Sequence, residues 1–167
     1  MIDLKKIEYG DVIFVDRGFY KHFGIYSGNQ KVIHYYHAAE KISETSFSEF
    51  MDGDTDCYVC NFDERGARTS EELGFLPTAR GFSSSPVGGL ILLRELYKFL
   101  RDLDSKLYSP EETVQRARSK LGESEYNLFF NNCEHFAIWC KTGVSKSEQI
   151  DEILDVVIGA ATSARVR

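Results

Sequence analysis

The chain has 167 residues, of which 43% are hydrophobic and 28% charged, a composition typical of one globular domain with a hydrophobic core. Its formal net charge of -6 excludes a general electrostatic attraction to phosphate backbones, so we expect no nucleic-acid partner. Met1 to Gly10 contain no apolar segment of the kind found in a secretory signal. The four cysteines are therefore expected to be reduced thiols in a cytoplasmic protein.

The first recognisable pattern is a β-hairpin near the N-terminus. Asp11 to Ser27 is rich in β-branched and aromatic residues, Gly28 begins a turn, and Lys31 to His37 resumes the strand composition. If the turn is centred on Gly28, His22 and His34 lie directly opposite each other on one face. A shift of one residue would place them on different faces, and two histidines without a shared role remain the alternative.

The next predicted strand, Asp56 to Phe62, carries a closely spaced cysteine pair, Cys57 and Cys60. A zinc or redox site would require a second pair at similar spacing, whereas Cys133 and Cys140 are seven residues apart on a predicted helix. We therefore expect the strand cysteines to pack in the core as small apolar side chains. No metal and no cofactor is predicted.

The middle of the chain changes in composition. Residues 63–89 are rich in glycine, serine and charged residues and predict a loop or insertion. Residues 90–103 repeat leucines at helical spacing and predict an amphipathic helix. One side of this helix would pack on the core, with binding to a membrane surface as the alternative.

A second helix has a clear start signal. Ser109 and Glu112 form a capping box, with Pro110 at the first helical position. The helix is predicted to bury a stripe of three apolar residues and to stop at a glycine; these are Val114, Ala117, Leu121 and Gly122.

A third helix is predicted to begin at Cys133. Tyr126 to Phe130 predicts a short extended segment, and the asparagine pair that follows, Asn131 and Asn132, is a favourable N-cap. Apolar residues then recur at helical spacing up to Gly143; they are Cys133, Phe136, Ala137 and Cys140.

The position of Cys133 in the first turn has a chemical consequence. Free N–H groups and the helix dipole favour a thiolate, so the pKa of Cys133 is expected to fall, although the charge of Glu134 acts in the opposite direction. A cysteine placed there for packing alone is the alternative. His135 and His37 are not expected to assist, because His135 is two residues along the helix and His37 is an odd number of residues from His34 on its strand.

These residues carry a resemblance to a known family. The segment Asn132 to Phe136, the segment His22 to Tyr26, and His34 together resemble the lecithin:retinol acyltransferase family, including its small phospholipase A/acyltransferase members. That family is similar to circularly permuted NlpC-type, papain-like cysteine peptidases. The resemblance covers residues 9–37 and 108–150 and implies an α+β fold, an antiparallel β-sheet packed against helices with the nucleophilic cysteine at a helix N-terminus.

The resemblance also implies roles for individual residues. Cys133 is similar to the family's acyl-accepting nucleophile, His22 to its general base and His34 to the residue that orients the base. Tyr20 and Arg17 occupy the segment leading to the base and are assigned contacts with the oxyanion or the lipid head group. The implied donor is a phospholipid ester, and a Cys133 thioester would pass its acyl group to water, an amine or a lysolipid.

The extent of the resemblance along the chain suggests the domain organisation. Residues 1–150 would form the catalytic domain, with residues 63–106 as a variable insertion and amphipathic helix. Residues 151–167 would form a short tail, because its apolar run is interrupted by acidic residues and is shorter than a membrane span. Peripheral membrane contact is therefore the most that we expect.

Other functions use the same residues. A cysteine peptidase or amidase would apply the same three side chains to an amide bond, and a non-catalytic interaction module would keep only the fold. Zinc bound by His22, His34 and Cys133 is a third alternative, which the resemblance disfavours.

Overall fold

The computed structural model describes residues 7–62, 106–124, 133–159 and 161–165. These residues form one antiparallel sheet and several helices, which confirms the α+β class. The strands are β1 (Val12–Asp16), β2 (Lys21–Gly28), β3 (Lys31–Tyr36), β4 (Lys41–Ser46), β5 (Asp56–Val59) and β6 (Thr162–Arg165). The helices are α1 (Phe47–Met51), α2 (Pro110–Arg118), α3 (Cys133–Thr142) and α4 (Ser147–Gly159). The strand order across the sheet is β4-β3-β2-β1-β5-β6.

The long apolar stretch from Asp11 to Ser27 forms two strands rather than one, which corrects the sequence prediction. β1 and β2 pair antiparallel, and the turn between them includes Gly18 at a φ of +83°. The Asp16 carboxylate accepts a hydrogen bond from the Gly18 N–H at 3.0 Å. A glycine in the left-handed region and an aspartate preceding it are typical turn features, and here they interrupt a segment of high strand propensity.

The turn between β2 and β3 is Asn29–Gln30, with Gly28 paired to Lys31 and a register irregularity between Tyr26 and Gly28. Beyond the irregularity the pairs are symmetric about Asn29 and not about Gly28, so His34 lies opposite Gly24, and the prediction that it lies directly opposite His22 is wrong. Moving the centre of symmetry by one residue shifts the register by two. A shift of two residues keeps both histidines on the same face of the sheet as diagonal neighbours.

The two faces of the sheet bury two separate apolar clusters. On the helical side, α2, α3 and α4 pack against alternate strand residues, among them Val12, Phe14, Phe23, Ile25 and Ile33. On the α1 side, Phe47, Phe50 and Met51 pack against the other alternate residues, among them Ile13, Val15, Tyr26 and Val32. The strand residues of each cluster alternate, as expected for a sheet that is covered on both faces.

The cysteine pair on β5 and just beyond it is buried, as predicted. Cys57 belongs to the cluster on the α1 side and Cys60 to the cluster on the helical side. Burial raises the pKa of the Cys57 thiol to about 12, so it is a protonated, apolar side chain at neutral pH. The described residues contain no group of three or more potential ligand side chains arranged to hold a metal ion.

Helix α2 begins as predicted but ends earlier. Ser109 Oγ accepts the Glu112 N–H at 3.1 Å, and a Glu112 carboxylate oxygen accepts the Ser109 N–H at 3.0 Å, which completes the capping box. Val114 and Ala117 are buried, whereas Leu121 is 42% exposed. The prediction that Leu121 is part of the buried stripe is wrong, because the helix ends at Arg118 and Leu121 lies in the turn that follows.

The C-terminal residues contribute to the core and to the edge of the sheet. Helix α4 buries Ile150, Ile153, Leu154 and Val157, and β6 pairs antiparallel with β5. The domain boundary suggested at residue 150 falls within this helix. Among the helices described, none combines the length and the hydropathy needed to cross a bilayer.

Several predictions fall on residues outside the described ranges. They are the loop at 63–89, the amphipathic helix at 90–103, the extended segment Tyr126 to Phe130 and the N-cap pair Asn131 and Asn132.

Candidate active site

Cys133 is the first residue of α3 and is held against the backbone of β2. Its Sγ donates to the Lys21 carbonyl at 3.3 Å and accepts the Phe23 N–H at 3.4 Å. These two residues flank His22. At this end of the hairpin, the last residue pair between β2 and β3 is Gly24 with His34. These main-chain contacts place the thiol beside the backbone on either side of His22.

His22 and His34 form a buried pair. His22 Nε2 and His34 Nδ1 are 2.8 Å apart, and the rings meet edge to face with their centroids 5.0 Å apart. Both rings also contact Phe50 of α1 at 5.2 Å between centroids. His22 is 3% and His34 is 2% exposed, so bulk water does not compete for the bond between the two imidazoles.

Gly24 makes room for this pair. A Cβ at this position would lie 2.5 Å from Val32 Cγ1 and 3.3 Å from His34 Cβ. Gly24 was not selected from the sequence as a site residue. A glycine inside a strand pattern, two residues from a candidate base, is the signal that was available.

Thr45 is a second polar side chain in contact with His34. Its Oγ1 is 2.8 Å from His34 Nε2 and donates to the Ser46 carbonyl at 3.2 Å. Ser43 is the residue directly opposite His34 in the register, and Thr45 lies two residues further along the same face of β4. Sequence reasoning missed Thr45 because the pairing of β3 with β4 was not predicted.

His37 lies close to the site, contrary to the prediction that it points to the other face. Strand β3 ends at Tyr36, and a short 3-10 turn, His37–Ala39, replaces strand alternation. The His37 ring is exposed and lies 5.7 Å from the His22 ring and 5.2 Å from the Tyr35 ring, measured between centroids.

The two polar residues assigned to the turn before β2 have different surroundings. Arg17 donates to Asp52 Oδ2 at 3.1 Å and to the Phe50 carbonyl at 3.2 Å, and its Nε is 3.6 Å from Asp54 Oδ2. These bonds attach the turn to α1 and the residues after it. Tyr20, by contrast, is 47% exposed at the end of the turn.

Burial controls the protonation of the two imidazoles. It lowers the pKa of His22 to about 3, with smaller contributions in the same direction from the charges of His34, Arg17 and His37. It lowers the pKa of His34 to about 4, assisted by the charges of His37 and Arg17. Both rings are therefore neutral at physiological pH.

Burial also raises the pKa of the Cys133 thiol to about 11, and the charge of Glu134 raises it further. The Phe23 N–H and the N–H groups at the start of α3 lower the pKa, but by less. The expected fall of this pKa is therefore wrong, because desolvation of the thiolate outweighs the helix N-terminus. The resting site is a neutral thiol beside neutral imidazoles.

One ring atom of the histidine pair is buried without a partner in the part of the chain that the structure describes. This atom is His22 Nδ1. A neutral imidazole nitrogen of this kind can accept a proton from a thiol during attack.

His135 follows Cys133 by two residues and is 5% exposed. Its predicted role in packing rather than catalysis stays a prediction.

Comparison with known proteins agrees with the resemblance noted in the sequence. Residues 5–146 match the family model described as lecithin retinol acyltransferase. The chain is 30% identical over 160 residues to the lecithin retinol acyltransferase of Bos taurus, an alignment that covers 89% of this chain and 60% of that protein. It is 29% identical over 158 residues to the phospholipase A and acyltransferase 3 of Homo sapiens, covering 92% of this chain and 80% of that protein. The chain thus spans about 60% of the length of the lecithin retinol acyltransferase from cattle. Because the family model covers most of its residues, the chain belongs to the lecithin retinol acyltransferase family.

Proposed function

We propose that this protein is a thiol-dependent acyltransferase or phospholipase A that acts on glycerophospholipid esters through a thioester on Cys133. The observation that carries the proposal is the position of the Cys133 sulfur, bonded to the main chain on both sides of His22. The names of the relatives, lecithin retinol acyltransferase and phospholipase A and acyltransferase 3, support acyl transfer and phospholipid cleavage as the class of reaction.

The proposed first half-reaction is general-base attack by a neutral thiol. As the Cys133 sulfur bonds to the ester carbonyl carbon, His22 Nδ1 takes the thiol proton. The tetrahedral intermediate then breaks its C–O bond, and the imidazolium of His22 returns the proton to the departing lysolipid oxygen. The raised pKa of Cys133 and the lowered pKa of His22 support this route, because a thiolate and imidazolium pair is not stable at rest.

The second half-reaction reverses these steps with a different nucleophile. His22 removes a proton from water, an amine or a lysolipid hydroxyl, which attacks the thioester carbonyl. The C–S bond breaks and the proton returns to the sulfur. Water gives a fatty acid, and the other acceptors give an amide or a new ester. His34 orients His22 throughout, and no step in this cycle uses a metal or cofactor.

Substrate contacts are assigned to the turn before β2. The exposed Tyr20 directly precedes Lys21, whose carbonyl contacts Cys133, so Tyr20 is proposed to contact the oxyanion or the head group. Arg17 is bound to Asp52, Asp54 and the Phe50 carbonyl, and its proposed contribution is to hold the turn in position for the head group.

The same turn is proposed to mediate peripheral membrane contact. Phe19 is 103% exposed and lies beside Tyr20, so two aromatic rings extend into solvent next to the residues that hold Cys133. Aromatic side chains of this kind favour the interface of a bilayer. The four cysteines are free thiols, which supports a cytoplasmic location.

Intact-mass spectrometry of the protein mixed with phosphatidylcholine tests the proposal. We expect an increase in mass equal to one acyl group, absent in Cys133→Ser and retained in Cys140→Ser, whose sulfur is buried in the core away from the site. His22→Ala should slow acylation by about 10³-fold, the middle of the range for loss of a general base. No adduct and no release of fatty acid from any lipid tested, or an adduct that persists in Cys133→Ser, would contradict it.

A further inference from the structure

We propose that Thr45 is a positioning residue that sets the tautomers of both histidines, so that His22 Nδ1 stays unprotonated and able to accept the thiol proton. The inference rests on the proposed function for its catalytic meaning, but the tautomers themselves can be measured without a substrate. Neither Thr45 nor any hydroxyl partner of the histidines was singled out from the sequence.

One neighbour of the Thr45 hydroxyl can only accept hydrogen bonds. The Ser46 carbonyl is 3.2 Å from Thr45 Oγ1 and has no proton to donate, so the single hydroxyl proton of Thr45 is used in that bond. Thr45 Oγ1 must then act as acceptor toward His34 Nε2, which is 2.8 Å away. His34 therefore carries its proton on Nε2.

The next bond follows from the tautomer of His34. A neutral imidazole with its proton on Nε2 has a lone pair on Nδ1. His34 Nδ1 is 2.8 Å from His22 Nε2, so His22 must donate from Nε2. His22 is itself neutral, and its one ring proton is thus placed on the nitrogen that faces His34. Its Nδ1 is left with a lone pair.

Reversing all three bonds would leave one buried donor unsatisfied. If Thr45 donated to His34, its bond to the carbonyl of the exposed Ser46 would be lost. His34 would then donate from Nδ1, and His22 would carry a proton on Nδ1, a buried atom that has no partner among the described residues. A buried donor without an acceptor is among the least tolerated states of a polar group. This cost favours donation from Thr45 to Ser46 and from His22 to His34.

The surroundings of Thr45 hold its hydroxyl in the orientation that donates to the Ser46 carbonyl. Ser46 is the N-cap of α1 and forms a capping box with Glu49, so the carbonyl that accepts from Thr45 belongs to a fixed helix start. Thr45 is also paired with Val32 in the sheet. The hydroxyl therefore connects the beginning of α1 to the imidazole pair by hydrogen bonds, in addition to the ring contacts that Phe50 of the same helix makes with both histidines.

Histidine-selective ¹⁵N NMR of the full-length protein tests the tautomers directly. In the wild type, we expect both His22 and His34 to carry their protons on Nε2. Thr45→Val, which keeps the shape of the side chain but removes the hydroxyl, should give a mixture of tautomers at both histidines. Thr45→Ser should restore the wild-type spectrum. Ser43→Ala is the matched control, because the Ser43 hydroxyl donates to the Lys41 carbonyl at 3.3 Å rather than to an imidazole.

Steady-state kinetics with phosphatidylcholine vesicles supply the second measurement. Thr45→Val should lower kcat about tenfold and leave KM unchanged, because a smaller fraction of the protein would have an unprotonated His22 Nδ1. Thr45→Ser should restore the wild-type kcat. Wild-type protons on Nδ1 of either ring, or a Thr45→Val variant with unchanged tautomers, would overturn the inference. Equal losses in Thr45→Val and Ser43→Ala would overturn it as well. Correct tautomers in a protein that forms no Cys133 adduct would instead refute the proposed function and leave the role of Thr45 in the tautomers standing.

Discussion

The two sides of the sheet contribute different parts of the candidate site. The α1 side, with its short helix Phe47–Met51, packs Phe50 against both imidazoles. The helical side carries Cys133 at the start of α3, packed against the larger of the two buried clusters. The thiol and the histidines are therefore supported by different apolar contacts and meet only at the backbone of β2. Their relative position depends on that strand more than on either cluster alone.

An arginine also stabilises the packing on each side of the sheet, and the two arginines do so through different contacts. On the helical side, Arg116 lies between the rings of Tyr108 and Trp139, at 4.2 and 3.9 Å from their centroids, and donates to the Trp139 carbonyl at 2.9 Å. This contact joins α2 to α3. On the α1 side, Arg17 pairs with Asp52 at 3.1 Å and joins the turn before β2 to the end of α1. The helical side is thus held by stacking and the α1 side by ionic bonds, which are more sensitive to salt.

The strongest test of this division is a pair of core truncations. Phe50→Ala and Ile150→Ala each remove a fully buried side chain, one from each side, and each should lower the free energy of unfolding by about 3 kcal/mol or more. Only Phe50→Ala should also reduce the rate of acylation, because only Phe50 supports the imidazoles. Urea unfolding and single-turnover acylation, both at a temperature where the variants are folded, measure the two effects. Equal loss of acylation in both variants would show that the two sides are not independent.

A smaller effect is expected from filling the space beside His34. Gly24→Ala places a Cβ 2.5 Å from Val32 Cγ1 and should cost about 1 to 3 kcal/mol of stability, as overpacking does. It should also slow acylation, because His34 must move. Adding Val32→Ala should recover part of both losses, and a double-mutant cycle measures the recovery. Additive losses in the double variant would contradict the predicted contact.

The most gradual effect is a dependence of stability on pH. His22 has a pKa of about 3 and His34 of about 4 in the folded protein, against 6.5 for an ordinary histidine. Between about pH 4 and 6.5 the unfolded chain binds more protons than the folded one, so stability falls as the pH falls through this range. The slope is about 1.4 kcal/mol per pH unit for each histidine.

The variant His22→Phe separates this effect from the titration of carboxylates. Urea unfolding at a series of pH values should show a shallower decline in the variant than in the wild type, by about one proton per molecule. Identical slopes would mean that His22 does not stay neutral in the folded protein.

The sequence was sufficient for those parts of the site that depend on local pattern. The start of α2 at Ser109 and the position of Cys133 as the first residue of α3 follow from capping and periodicity. The α+β class follows from the family resemblance. The shared face of His22 and His34 also survived a wrong choice of turn centre, because the actual register differs by an even number of residues.

The remaining features depend on contacts between segments that are distant in sequence. Thr45 reaches His34 only because β4 pairs with β3, and His37 approaches His22 only because β3 ends one residue before it. The pKa of Cys133 was predicted in the wrong direction because the helix start is visible in the sequence but the burial of its sulfur is not. Local sequence patterns do not show how deeply a group is buried in the folded protein, and they do not show which strands pair.

The bonds between Cys133 and the main chain also matter for engineering. Lys21 and Phe23 hold the sulfur through a carbonyl and an N–H, groups that every residue except proline provides. Residue 21 can therefore be randomised in a library without removing the groups that seat the sulfur, and residue 23 can be varied among apolar side chains that fill the same core position. Under the proposed function, such a library would sample new acyl and head-group selectivities while the main-chain contacts of the sulfur stay constant.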